Sequence, residues 1–130
     1  MNIGYFQFLP KFLKVKNNLA KIEELSEKNK GKIKDLDLLV FPEYFLSGPI
    51  KMNFIKDYEK EISLEEIKQN FCKISKKYPW LTFVMGSVLL KIDKNYFNTA
   101  LVYKNGEVLA KYNKKALIYN ERYVCQSDDK

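Results

Sequence analysis

Residues 37–43, Asp37-Leu38-Leu39-Val40-Phe41-Pro42-Glu43, decide how this chain is read. Four consecutive apolar residues between an acidic turn and a proline make the pattern of a strand buried on both faces, as in parallel α/β sheets. Glu43 stands just past the strand's end, and open α/β sheets bind ligands outside the carboxyl ends of their strands. Two roles stay open to it on this stretch alone. It is either a site carboxylate or an acid favouring the first turn of a helix opened by Pro42.

Upstream, Ile3-Gly4-Tyr5-Phe6-Gln7-Phe8-Leu9 reads as a first strand, stopped by Pro10. Between the two strands Phe12, Val15, Leu19, Ile22 and Leu25 recur at spacings of three and four, which predicts a helix ending near 29–31. Strand, helix and strand make a βαβ unit, with a right-handed crossover expected. Downstream, 44–49 is a loop by its Ser47-Gly48-Pro49 content, yet apolar enough to pack down or line a pocket; 50–62 has less pattern. Ser63 and Glu66 have capping-box spacing, and Leu64, Ile67, Phe71, Ile74 and Tyr78 mark the stripe of a second helix stopped by Pro79. Residues 80–90 read as a third buried strand, in which Gly86 marks a close approach by a neighbour. Residues 97–103 and 108–112 flank Asn105-Gly106, a strong hairpin signal, so the sheet turns from parallel to antiparallel. No repeat, linker or low-complexity tract divides the chain.

Composition narrows the chemistry. A chain of 130 residues, 46% hydrophobic and 15% aromatic, folds as a globule. The net charge of +7 suggests nucleic acid until its carriers are located. Arg122 is the only arginine, and the lysines are interleaved with Glu and Asp through every segment, as on solvated faces. No nucleic-acid partner is expected. The absence of histidine excludes Ser-His-Asp triads, Cys-His dyads and His-containing zinc sites. Acid-base work falls to Glu, Asp, Lys, Tyr or Cys. Cys72 and Cys125 are too few and too far apart for a disulfide framework or a Cys-x-x-Cys pair, which suits a reducing cytoplasm. The apolar N-terminal stretch has no basic region before it and no small-residue cleavage site after it, and no run approaches membrane-spanning length. A soluble cytoplasmic protein without a membrane partner is expected.

Glu43 after a buried strand, Lys114 after the hairpin and Glu121 seven residues on now line up. The series Phe41-Pro42-Glu43, Gly86-Ser87, Phe97-Asn98-Thr99-Ala100, Asn105-Gly106-Glu107, Tyr112-Asn113-Lys114 and Glu121 resembles the N-terminal half of the nitrilase, or carbon-nitrogen hydrolase, superfamily. The resemblance covers almost the whole chain. It implies an α-β-β-α sandwich, an α/β fold of which residues 1–130 are the N-terminal part of a single domain. It also implies a Glu-Lys-Cys mechanism cleaving a non-peptide C–N bond, as an amidase, nitrilase or carbamoylase does. Glu43 would be the base, its proton affinity raised in a partly dry pocket, and Lys114 would stabilise the oxyanion. Glu121 would help to position substrate and lysine. No metal or organic cofactor is implied, the partner being a small amide, nitrile or carbamoyl substrate, and the complete protein is expected to form homo-oligomers. The family's nucleophilic cysteine is expected beyond Lys130. Cys125 lies too close to Lys114 to be it, and 126–129 reads as a polar turn. The alternative is a non-catalytic fragment or scaffold of the same family. Tyr44, Tyr112 and Tyr119 read as packing residues.

Overall fold

The computed structural model describes residues 1–127, so Asp128 and Asp129 of the expected polar turn lie outside the described residues. The first two strands, β1 (Ile3–Tyr5) and β2 (Leu38–Val40), run parallel, with Gly4 opposite Leu39. β1 is shorter than the 3–9 expected. β2 ends at Val40, so after Phe6 N–H donates to the Val40 carbonyl at 2.9 Å the upstream chain has no ladder to join. Between them α1 (Val15–Lys28) and the short α2 (Lys30–Ile33) bury Val15, Ile22 and Ile33. α1 starts later than Phe12 because Leu13 takes a positive φ of 55° and donates its N–H to the Ser47 carbonyl.

The loosely patterned stretch hides α3 (Ile55–Glu61), whose Tyr58 is buried and donates its hydroxyl to the Leu89 carbonyl at 2.6 Å. α4 (Leu64–Lys77) opens with the expected capping box between Ser63 and Glu66. Then β3 (Thr82–Ile92) pairs parallel with β2 and antiparallel with β4 (Asn95–Lys104), which pairs antiparallel with β5 (Glu107–Asn113). The sheet order is β1-β2-β3-β4-β5. At the turn into β5 both Asn105 and Gly106 have positive φ, as a two-residue hairpin loop requires. A Cβ on Gly86 would lie 3.0 Å from the Ala100 Cβ, so the glycine does mark a close strand approach.

Side-chain alternation divides the sheet into unlike faces. Leu39, Phe83, Leu101 and Tyr103 are buried beneath the helices, where Phe71 of α4 meets Tyr103 edge-on with ring centroids 5.8 Å apart. On the other face Leu38, Val40, Val84 and Val102 are only half-buried, and Tyr5 and Tyr112 are exposed. The expectation that 38–41 is buried on both faces is therefore corrected. Among the described residues the helices cover one face only.

Candidate active site

Glu43 is carried by a bend that its neighbours anchor. Phe41 is 1% exposed, donates its N–H to the Val84 carbonyl at 2.9 Å, and sits among the rings of Phe6, Phe45 and Phe83. Past Glu43, Tyr44 adopts φ 53° and its carbonyl accepts from Gly48 N–H at 2.8 Å, which closes the bend. Tyr44, Phe45 and Leu46 are buried, and Asn18 of α1 donates to the Leu46 carbonyl at 2.7 Å. The apolar loop thus packs down. Since no helix starts at Pro42, the cap role for Glu43 is not realised.

Lys114 follows β5, with its backbone N–H donated to the Asn98 carbonyl at 2.9 Å. Glu121 opens a single 3-10 turn and folds back to accept the Ile118 N–H on Oε2 at 3.0 Å. The fold brings the three together. Lys114 Nζ lies 3.0 Å from Glu43 Oε1 and 3.0 Å from Glu121 Oε2. Side-chain exposure is 54% for Glu43, 28% for Lys114 and 8% for Glu121. The partly dry pocket expected around Glu43 is not formed by the described residues, because the carboxylate projects from the rim of the bend.

Two residues to which the sequence reading gave no site role complete the cluster. Asn98 Nδ2 donates to Glu43 Oε1 at 2.8 Å and to Glu121 Oε1 at 2.9 Å, and Tyr44 donates its hydroxyl to Glu121 Oε1 at 2.8 Å. The packing role expected of Tyr44 holds for its ring but omits its polar tip. Burial alone would raise the Glu121 carboxyl, yet the Ile118 N–H, Lys114, Tyr44 and Asn98 together hold it down at about 2. Burial opposes the charge on Lys114, but hydrogen bonds to both carboxylates outweigh it and raise the ammonium above its ordinary value. Burial, with Cys125 and Glu121 adjoining, pushes the Tyr44 hydroxyl far up, so it stays a donor. Cys125 is 4% exposed, its sulfur 3.9 Å from the Tyr44 hydroxyl, and burial pushes the thiol up. Among the described residues no three His, Cys, Asp or Glu side chains gather as a metal ion would need, and no helix is long and apolar enough to cross a membrane.

A carbon-nitrogen hydrolase family model matches residues 2–130. The chain is 28% identical over 132 aligned positions to the protein N-terminal amidase of Schizosaccharomyces pombe, covering 94% of this chain and 45% of that protein. Its fold matches that of an amidase from Nesterenkonia sp. with a TM-score of 0.80 at 21% identity, over 100% of this chain and 49% of the amidase. It also matches an N-terminal amidase solved with an Asn-Glu-Ala peptide, with a TM-score of 0.77 at 20% identity, over 95% of this chain and 30% of that one. The chain thus spans less than half the length of the curated relative, and its sheet and helical layer are a partial α-β-β-α domain of the nitrilase type. With the match running through Glu43, Lys114 and Glu121 alike, the chain belongs to the carbon-nitrogen hydrolase family.

Proposed function

We propose that this chain supplies the glutamate-lysine part of a hydrolase site, and that the complete protein cleaves the C–N bond of a small carboxamide, nitrile or carbamoyl compound through a cysteine thioester. The nucleophilic cysteine comes from beyond residue 130. The observation that carries this reading is Lys114, an ammonium 3.0 Å from each of two carboxylates that arrive on separate loops. An abundant surface lysine has no need of such a setting.

The geometry divides the labour between the two acids. Glu121 accepts from four donors across its two oxygens, so it holds Lys114 and has little capacity left for proton transfer. Among the described residues every partner of Glu43 falls on Oε1, leaving Oε2 for the proton. In acylation of an amide the thiol proton passes to Glu43, sulfur bonds to the carbonyl carbon, and the oxyanion faces the Lys114 ammonium. Glu43 then gives the proton to the departing nitrogen. Water, deprotonated by Glu43, attacks the thioester, and the thiol leaves with that proton. Cys125 is unsuited as the nucleophile, being buried with its thiol pushed up.

We read the complete protein as a cytoplasmic homo-oligomer without nucleic-acid or membrane partners; the free thiols Cys72 and Cys125 suit a reducing compartment. A second reading, acting on an amide at a protein's N-terminus, is favoured by the likeness to the protein N-terminal amidase and to the peptide-bound one. The test uses the full-length protein. Glu43→Gln and Lys114→Ala should each lower kcat/KM for amide hydrolysis by about 10³-fold, Glu43→Gln with little change in thermal unfolding and Lys114→Ala per folded molecule, because it also removes a partner of the buried Glu121. Retained turnover in either variant would sink the assignment. Ammonia release from small amides against release from a peptide beginning with asparagine separates the two substrate readings.

A further inference from the structure

Asn98 touches Glu43, Lys114 and Glu121. It lies in β4, hydrogen-bonded on both sides by β3 and β5, and is 2% exposed. Its carbonyl accepts the Lys114 N–H, and its Nδ2 serves Glu43 and Glu121 together. With Lys114 the contacts close a ring: Asn98 Nδ2 to Glu43 at 2.8 Å, Glu43 to Lys114 Nζ at 3.0 Å, Lys114 to Glu121 at 3.0 Å, and Glu121 back to Asn98 at 2.9 Å.

We infer that Asn98 is a positioning residue, whose amide bridges the two carboxylates and fixes Glu43 over Lys114; the inference rests on the hydrolase reading above. Two like charges drawn to one point need donors between them. A planar NH₂ offers two diverging hydrogens without adding charge, whereas a hydroxyl offers one and an ammonium would compete with Lys114. The amide's orientation is set by the same logic, because the reverse would press its oxygen against both carboxylates. Oδ1 is left buried with no partner among the described residues, so the site keeps an unsatisfied acceptor in order to keep the donors in place. Glu43 needs the help. Its side chain is 54% exposed, and without Asn98 its sole remaining partner among the described residues is the lysine tip.

The decisive variant is Asn98→Asp in the full-length protein, which keeps the shape and turns the donor into a third carboxylate. The other titratable groups around it are Glu43, Glu121, Lys114, Tyr44 and Cys125. A misplaced base predicts that kcat falls by about 10²-fold, with KM little changed. The acid limb of the pH–rate profile moves to higher pH, because the added negative charge favours protonation. Asn98→Ala should show the fall in kcat with a smaller displacement in the same direction, because it removes a donor from Glu43 without adding a charge. If either variant only lowers the melting temperature, with kcat per folded molecule and the acid limb unchanged, the positioning role is overturned. A second measurement needs neither activity nor a folded variant at position 98. In full-length wild-type protein labelled with ¹⁵N-asparagine, the Asn98 NH₂ signals should shift as the carboxylates titrate, and Glu43→Gln should remove one component of that shift. Signals that stay flat with pH would overturn the bridge. If no amide is hydrolysed while the NH₂ signals titrate, the hydrolase reading fails and the bridge stands.

Discussion

At the scale of single residues, Glu121 shows how burial and charge are reconciled. Its carboxyl is held at about 2 against an ordinary 4.5, so the unfolded chain takes up the proton first as pH falls. The stabilisation is complete above the unfolded value and is lost as pH falls from about 4.5 towards 2. A shift of that size sets an upper bound of roughly 3 kcal/mol, which solvent screening at the site reduces. The cost of Glu121→Gln, measured by urea denaturation, should therefore be largest at neutral pH and shrink across that acid window; a cost constant with pH would contradict the account. Glu121 and Lys114 were legible as members of an ordered series, because the family's spacing is written along the chain. Asn98 was not legible as a bridge. It was quoted as part of a strand motif, but its contacts lie 55 and 23 positions away, and strand alternation says nothing of which carboxylates a distant loop delivers.

At the scale of elements, the hairpin turn of Asn105 and Gly106 ties the sheet edge to α4. Gly106 has φ +84°, its N–H donates to Ser75 Oγ at 2.8 Å, and a Cβ there would fall 2.4 Å from the flexible end of Lys76. Gly106→Ala should cost about 1–2 kcal/mol, mainly from the left-handed backbone, and lower the denaturation midpoint without changing its slope. An unchanged midpoint would mean that the turn relaxes freely. This turn was legible because Asn-Gly supplies two positive-φ residues at the point where alternation resumes. α3 was not, since its seven residues are too few to show a helical period, and what fixes it is Tyr58 reaching Leu89. The same limit shortened β1, whose apolar run exceeds the ladder available to it.

At the scale of the whole molecule, the helices bury one face of the sheet and, among the described residues, leave the other apolar and open. Tyr5, Val40, Val84, Val102 and Ala110 align across all five strands, and each is exposed or half-buried. The buried run at 38–41 announced a two-sided strand, and the structure supplies only one of those sides. In the nitrilase-type sandwich a second sheet packs on such a face at about 10 Å, and the same arrangement in a full-length protein is expected to make Val84 a core position. The consequence is a contrast between two contexts. Val84→Lys would bury an unpaired charge between the sheets of the full-length protein and destabilise it by several kcal/mol. In the 130-residue chain alone the same lysine meets water, so it should cost little. There it should also weaken the self-association that an open apolar face drives. Thermal unfolding of the two contexts and sedimentation of the short chain across a concentration series measure both effects. Equal destabilisation in the two contexts, or a short chain that stays monomeric before the substitution, would show that this face is not where the rest of the domain packs.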